Sequence, residues 1–358
     1  MVNEIFTILN VVKIFVMAAT AFFLTLIITP LWTKILYKYK LGKGVIRTEN
    51  APIFSEMHKK KVGIPTMGGV VVWVSVVLLA FFFWIMFKLS PDSLFAKMNF
   101  LSRSQTWVPL AALIVSALFG FLDDILGILR IGPGGGGLRM RDRIIMYALV
   151  GAGGAWWFYE KLGFNSINIP FLGDWTIGLW YVPFFIFVIV ASAFSANETD
   201  GLDGLAGGVF LTMFGAYAAI AFDQGRIDLV VFLSAIMGSL IAFLWFNIYP
   251  AKFFMGDTGS MSLGVTLGVV AMLTNTPFLL IPIAVIFITE SGSVMIQLTS
   301  KKLRKKKIFL STPVHHHFEA LGWPETQVTM RFWLISAIGA IIGLIIFLAD
   351  SKIPPLFR

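Results

Sequence analysis

The sequence predicts an all-α, polytopic integral membrane protein with about ten transmembrane helices and both termini outside. Three features carry that expectation. The 358 residues are 58% hydrophobic and only 13% charged, whereas a soluble domain carries about 25% charged residues. Apolar runs of roughly 16–22 residues recur along the chain, close to the ~17–25 that cross a bilayer. Lys and Arg gather in alternate connections between those runs, which is the positive-inside pattern.

The first run, 14–33, is followed by a basic connection from Lys34 to Lys61. The second, 67–87, is entered through Pro65-Thr66-Met67-Gly68-Gly69. The third, 106–122, ends on Asp123-Asp124, and a glycine-rich, Arg-containing loop leads to the fourth, 144–159. Runs five (175–196) and six (205–222) flank the turn Asn197-Glu198-Thr199-Asp200-Gly201-Leu202-Asp203-Gly204. Run seven, 229–246, is followed by Asn247 and by Phe254-Met255-Gly256-Asp257-Thr258-Gly259-Ser260, which opens run eight, 259–275. Run nine, 278–299, is blurred by Pro277 and Pro282 and interrupted by Glu290. A basic stretch, Lys301 to Lys307, and Pro313-Val314-His315-His316-His317-Phe318-Glu319 precede run ten, 332–349. No tandem repeat or separate soluble domain is visible, so residues 1–358 read as one transmembrane domain. Nothing at the start has the form of a cleaved signal.

With ten spans, one side collects 20 of the 28 Lys and Arg and is therefore cytoplasmic. The net charge of +9 then reports topology, and nucleic-acid binding is set aside. There is no cysteine, which excludes disulfides and thiolate metal sites. Every polar cluster with chemical content falls on the same cytoplasmic side. A one-sided collection of carboxylates, histidines and lysines is expected of a composite active site at the membrane surface.

Each cluster suggests a role. Adjacent carboxylates Asp123 and Asp124 repel unless a cation binds, and a helix C-terminus gives no reason to place two acids there. Asp200 and Asp203, three apart, would share one face at a helix start. Asp257, a lone carboxylate in a turn of glycines and hydroxyls, suits Mg²⁺, which takes one or two carboxylates and completes its shell with phosphate and water. Successive helical residues point about 100° apart, so His315, His316 and His317 cannot converge on zinc; phosphate donors or proton shuttles fit better. Lys61 suits phosphate. Glu290, inside an apolar run, is a candidate by position, for a neighbouring helix or for Lys61. Lys301–Lys307 reads as topology and attraction to anionic lipid. Gly134–Gly137 lacks the Lys-Ser/Thr of a phosphate loop. Together these groups suit a phosphorylated, water-soluble donor meeting a lipid phosphate. Exchange of one phosphoanhydride for another is close to thermoneutral, so no ATP site is required.

The five motifs, in this order over nearly the whole chain, resemble those of the polyprenyl-phosphate N-acetylhexosamine-1-phosphate transferases, in particular the branch whose donor is UDP-N-acetylmuramoyl-pentapeptide. That resemblance implies transfer to undecaprenyl phosphate, giving lipid I and UMP, at the cytoplasmic face of the bacterial inner membrane, with Mg²⁺ as cofactor. It implies that Asp257 ligates the metal and that Asp123 is the candidate base, with Asp124 beside it. Lys61, Asn197, Asp200, Asp203, Asn247 and the three histidines would line the donor pocket, with Phe254 under the uracil. Direct attack by the lipid phosphate is favoured over a covalent phospho-aspartate, because a metal-bound carboxylate is a poor nucleophile. A homodimer is allowed, but the sequence does not decide the oligomeric state. Two positions depart from the family: Glu198 stands where Leu is usual, and Gly127 where Lys is frequent. For the second, Arg130, Arg139, Arg141 or Arg143 can substitute. A sibling that uses UDP-N-acetylglucosamine is the nearest alternative, and the uninterrupted histidine triplet with Glu319 weighs against it. A transporter or flippase would place its polar groups nearer the midplane, on broken helices.

Overall fold

The computed structural model describes residues 2–42, 61, 63–132 and 136–352. His58–Lys60 and Gly134–Gly135, noted above, lie outside the described residues. Each of the ten apolar runs falls mainly on helix. In chain order the main helices are α1 (Val2–Lys38), α2 (Val70–Leu89), α3 (Trp107–Ile128), α4 (Met140–Trp156), α5 (Tyr181–Thr199), α6 (Leu205–Asp223), α7 (Ile227–Asn247), α8 (Asp257–Leu273), α9 (Val285–Arg304), α10 (Val314–Ala320) and α11 (Glu325–Lys352).

Seven helices among the described residues are long and apolar enough to cross a membrane: α1, α2, α3, α5, α6, α7 and α11. The ninth run is not one straight span, since Pro277–Ile283 and Val285–Arg304 meet at 85°; counting that pair gives eight. α8 has 17 residues, about 25 Å at 1.5 Å per residue, short of a ~30 Å hydrocarbon core, whereas α4 runs on without a break through a π-helical turn, Trp157–Lys161. Length and apolarity together thus support seven or eight spans among the described residues, fewer than ten.

α8 is the core of the bundle, and all of its residues are buried. It packs on α3 and α5, while α7 packs on α1 and α6, and α11 on α6. Lipid tails are as apolar as leucine, so close packing of small residues must hold such helices together. Gly264 shows this: a Cβ there would lie 2.6 Å from the Ala196 methyl group. Hydroxyls along α8 find partners within the helix, Ser262 donating to Thr258 C=O at 2.7 Å and Thr266 to Ser262 C=O at 2.7 Å, or across to α3, Thr258 donating to Ala117 C=O at 3.0 Å.

One element was not expected. Ser166–Ile169 (β1) and Gly173–Thr176 (β2) form an antiparallel hairpin, with Ile169 opposite Gly173. Trp175, read from the sequence as the start of the fifth run, belongs to this hairpin, and α5 begins at Tyr181. A short apolar stretch does not by itself separate strand from helix. The hairpin sits at the C-terminal end of α8, where Asn168 N–H donates to Asn275 Oδ1 at 3.1 Å. The chemistry-bearing residues cluster at the other end.

Candidate active site

Two motifs far apart in sequence form the frame. Phe254 N–H donates to Pro65 C=O, and Gly68 and Gly69 N–H donate to Phe254 and Met255 C=O, each at 2.8 Å. The Pro-Thr-Met-Gly-Gly entry to α2 is thereby laid along the loop that opens α8. Gly256 closes that loop with φ +75°, and a Cβ there would lie 2.6 Å from Thr66 Oγ1 and 2.7 Å from Asp124 Oδ2. Only glycine fits both the angle and the space.

The adjacent acids on α3 point to different partners, as a 100° step requires. Asp124 accepts from Thr258 N–H at 3.0 Å and from Thr66 Oγ1 at 3.3 Å. It therefore sits at the positive end of α8. Asp123 accepts from Leu138 N–H at 2.6 Å and pairs with Arg143 Nε at 2.5 Å. Arg143, on the first turn of α4, also donates through Nη1 to Asn197 Oδ1 at 3.1 Å and through Nη2 to Asp257 Oδ2 at 3.4 Å. Asn197 donates in turn to Asp257 Oδ1, and to Ser260 Oγ at 3.3 Å. One guanidinium thus joins α3, α5 and α8, with Asp123 and Asp257 almost wholly buried.

Asp200 and Asp203 do not share a helix face. α5 ends at Thr199 and α6 starts at Leu205, so both lie in the turn between. Asp200 accepts from Gly256 N–H at 3.0 Å. Asp203 accepts from Ala251 N–H at 3.0 Å and from Lys61 Nζ at 2.6 Å. Lys61 also pairs with Glu325 and stands 5.6 Å above the half-buried Phe254 ring. Asn247 accepts from Gly204 N–H at 3.1 Å and donates to Phe253 C=O at 2.8 Å. Its amide braces the turn against the loop.

The three histidines on α10 do not converge on one point: the His315 and His316 rings meet edge to face with centroids 4.0 Å apart, while His317 turns to Phe309. His315 is fully buried, with Nδ1 3.0 Å from Glu290 on α9. His316 meets Glu319 at 2.7 Å, and His317 Nδ1 accepts from Leu310 N–H at 3.2 Å. Glu290 therefore serves His315, and Lys61 is held by Asp203 and Glu325. Burial opposes protonation of His315, but Glu290 outweighs it, and with Glu319 and Glu198 adding, the imidazole is held above its ordinary value near 6.5. The His315 ring adjoins the acidic turn, since a Cβ on Gly201 would lie 2.2 Å from its Nε2.

Asp123, Asp124, Asn197, Asp200, Asp203, Asp257, Lys61 and His315 are therefore parts of one connected cluster. Two participants escaped sequence reasoning. Arg143 was one of four equivalent arginines; its side chain is 17% exposed, against 78% for Arg141 on the same turn. Glu325 gave no signal beyond an acid in the first turn of a helix.

Asp123 and Asp257 offer hard oxygens converging on one positive group, with the Asn197 amide oxygen beside them. Among the described residues no group of three His, Cys, Asp or Glu forms a metal cage. The donor set fits a cation held by one or two carboxylates and shared with phosphate, as Mg²⁺ is. Arg143 lies between those same carboxylates.

Residues 106–275, from α3 to just past α8, match the family model described as glycosyl transferase family 4. That stretch is thus similar to a class of glycosyl transferases, here carried on helices long and apolar enough to cross a membrane. Over almost the full chain the relatives are more specific. A phospho-N-acetylmuramoyl-pentapeptide-transferase of Chloroflexus aurantiacus is 36% identical, covering 94% of this chain and 89% of the relative. Enzymes of that name from Geobacillus sp. and Borrelia hermsii are 36% and 38% identical, covering 91% and 90% of this chain and 95% and 92% of the relatives. At that identity and coverage, the chain belongs to the phospho-N-acetylmuramoyl-pentapeptide-transferase family.

Proposed function

We propose that this chain transfers phospho-N-acetylmuramoyl-pentapeptide from its UDP-linked donor to undecaprenyl phosphate, giving lipid I and UMP in peptidoglycan synthesis. It acts as a single transmembrane domain of ten spans in the bacterial inner membrane, with both termini outside and its site on the cytoplasmic face. The support for that orientation is the concentration of Lys and Arg in alternate loops, on the side that also carries every site motif.

One observation carries the chemistry: Arg143 joins Asp123, Asn197 and Asp257 at the N-terminal end of α8. The barrier to joining two phosphates is their mutual repulsion, and fixed positive charge lowers it. In the proposed step an oxygen of the lipid phosphate attacks the sugar-linked phosphorus of the donor. The anhydride bond to the UMP phosphate breaks, and its electron pair leaves with UMP. Arg143 and Lys61 are placed to hold phosphate oxygens, and Phe254 offers a ring face for the base. Asp123 is the candidate proton acceptor; since it already accepts from Leu138 N–H and Arg143, one of these must yield first. Asp124 keeps the start of α8 in position. Bound Mg²⁺ would be held by Asp257, with Asp123 near, and would neutralise phosphate charge. The purified protein should release UMP only when UDP-N-acetylmuramoyl-pentapeptide, undecaprenyl phosphate and Mg²⁺ are all supplied. Turnover of UDP-N-acetylglucosamine alone would refute the proposed donor.

A further inference from the structure

We infer that Glu325 is a positioning residue that orients Lys61 toward the donor nucleotide, and that α11 is the element that aims it. This rests on the reading of Lys61 as a donor-side group. Glu325 Oε1 accepts from Asp203 N–H at 2.7 Å and also pairs with Lys61 Nζ. Its own direction is set by the helix it starts. Thr329 Oγ1 donates to Asp203 C=O at 3.3 Å, and Trp333 Nε1 donates to Gly204 C=O at 3.1 Å. Residues 325, 329 and 333 are four apart and lie along one stripe of α11. That stripe grips the Asp203–Gly204 turn by the N–H of one residue and the carbonyls of both.

The consequence for Lys61 is geometric. Its side chain is 15% exposed, and those of Asp203 and Glu325 are 2% and 11% exposed. A lysine ammonium has three donors on a flexible four-carbon stem. Two are directed to carboxylates whose own places are dictated, Asp203 by Ala251 N–H and Glu325 by Asp203 N–H. The ammonium is thereby stationed over the Phe254 ring. Without Glu325 the stem keeps one anchor and the ammonium swings.

A double-mutant cycle on the full-length protein in detergent tests this, with UMP as the probe. Glu325→Ala should weaken UMP binding about tenfold or more with Lys61 present, and by less than about twofold in a Lys61→Ala background. Glu325→Gln keeps an oxygen that can accept both hydrogen bonds and should bind UMP within about threefold of wild type. Amine acylation of Lys61, read by mass spectrometry, should rise in Glu325→Ala and stay near wild type in Glu325→Gln. Equal loss of UMP affinity in both backgrounds, or unchanged affinity in Glu325→Ala, overturns the inference while leaving the donor reading intact. Wild-type protein that binds no UMP overturns the donor reading, and the inference with it.

Discussion

Replacing Arg143 with alanine should make the protein depend on a divalent cation for its stability. The guanidinium touches Asp123 at 2.5 Å, Asn197 at 3.1 Å and Asp257 at 3.4 Å. Its side chain is 17% exposed, and those of Asp123 and Asp257 are 0% and 7% exposed. Removing one member of a buried ion pair costs ~3–5 kcal/mol, because the remaining charge is left uncompensated. Here two carboxylates would face each other. A cation bound between them at a hundredfold excess over its Kd returns ~2.7 kcal/mol. Arg143→Ala should therefore melt several degrees below wild type in EDTA and recover most of the difference in Mg²⁺, to which wild type responds much less. Thermal scans of purified protein across a Mg²⁺ series measure this directly. A variant as stable as wild type in EDTA, or with no larger response to Mg²⁺, refutes the argument that metal and guanidinium serve the same pair of acids.

Asp257→Ala should abolish UMP release while the protein remains folded and membrane-inserted; near-normal turnover removes Asp257 from the metal assignment. The His315–Glu290 pair makes stability depend on pH. The pKa of His315 is raised on folding, so the contribution is complete below about 6.5 and is lost as pH climbs through the raised value. Melting temperature should fall on the alkaline side, and Glu290→Gln should flatten that slope; a parallel slope in the variant counts against the pair. Asn247→Leu leaves Gly204 N–H and Phe253 C=O without their partner, at ~1–3 kcal/mol for each buried group. It should lower the melting temperature while UMP affinity holds; the reverse pattern would mark Asn247 as a donor contact.

Helix positions were legible because a membrane leaves few options for the backbone. In hydrocarbon every N–H and C=O must be satisfied internally, so apolar runs become helices whatever their side chains. The hairpin at Ser166–Thr176 escaped because it lies where that constraint ends. The bend before α9 was visible only as Pro277 and Pro282 interrupting a run. In the site, carboxylates and histidines stand out against apolar neighbours, so Asp123, Asp257 and His315 could be named. Which cation each would meet could not be read, since that depends on packing between distant segments. Asp200 and Asp203 show the same limit. Their spacing suits a helix face, but Gly201 and Gly204 let the chain turn there, and the two acids reach different partners.

The burial of α8 explains why the cluster needs a permanent positive charge. Asp257 opens α8, and residues 248–256 connect it to α7. Asn247 anchors that connection through Phe253 C=O. Burial at that end of α8 takes Asp123, Asp124 and Asp257 out of water. It also removes the solvent that would screen three acids from one another, and like charges interact more strongly as the dielectric falls. A buried lysine readily gives up its proton under those conditions, whereas a guanidinium stays charged. Arg143 pairs with both Asp123 and Asp257 and keeps its charge there.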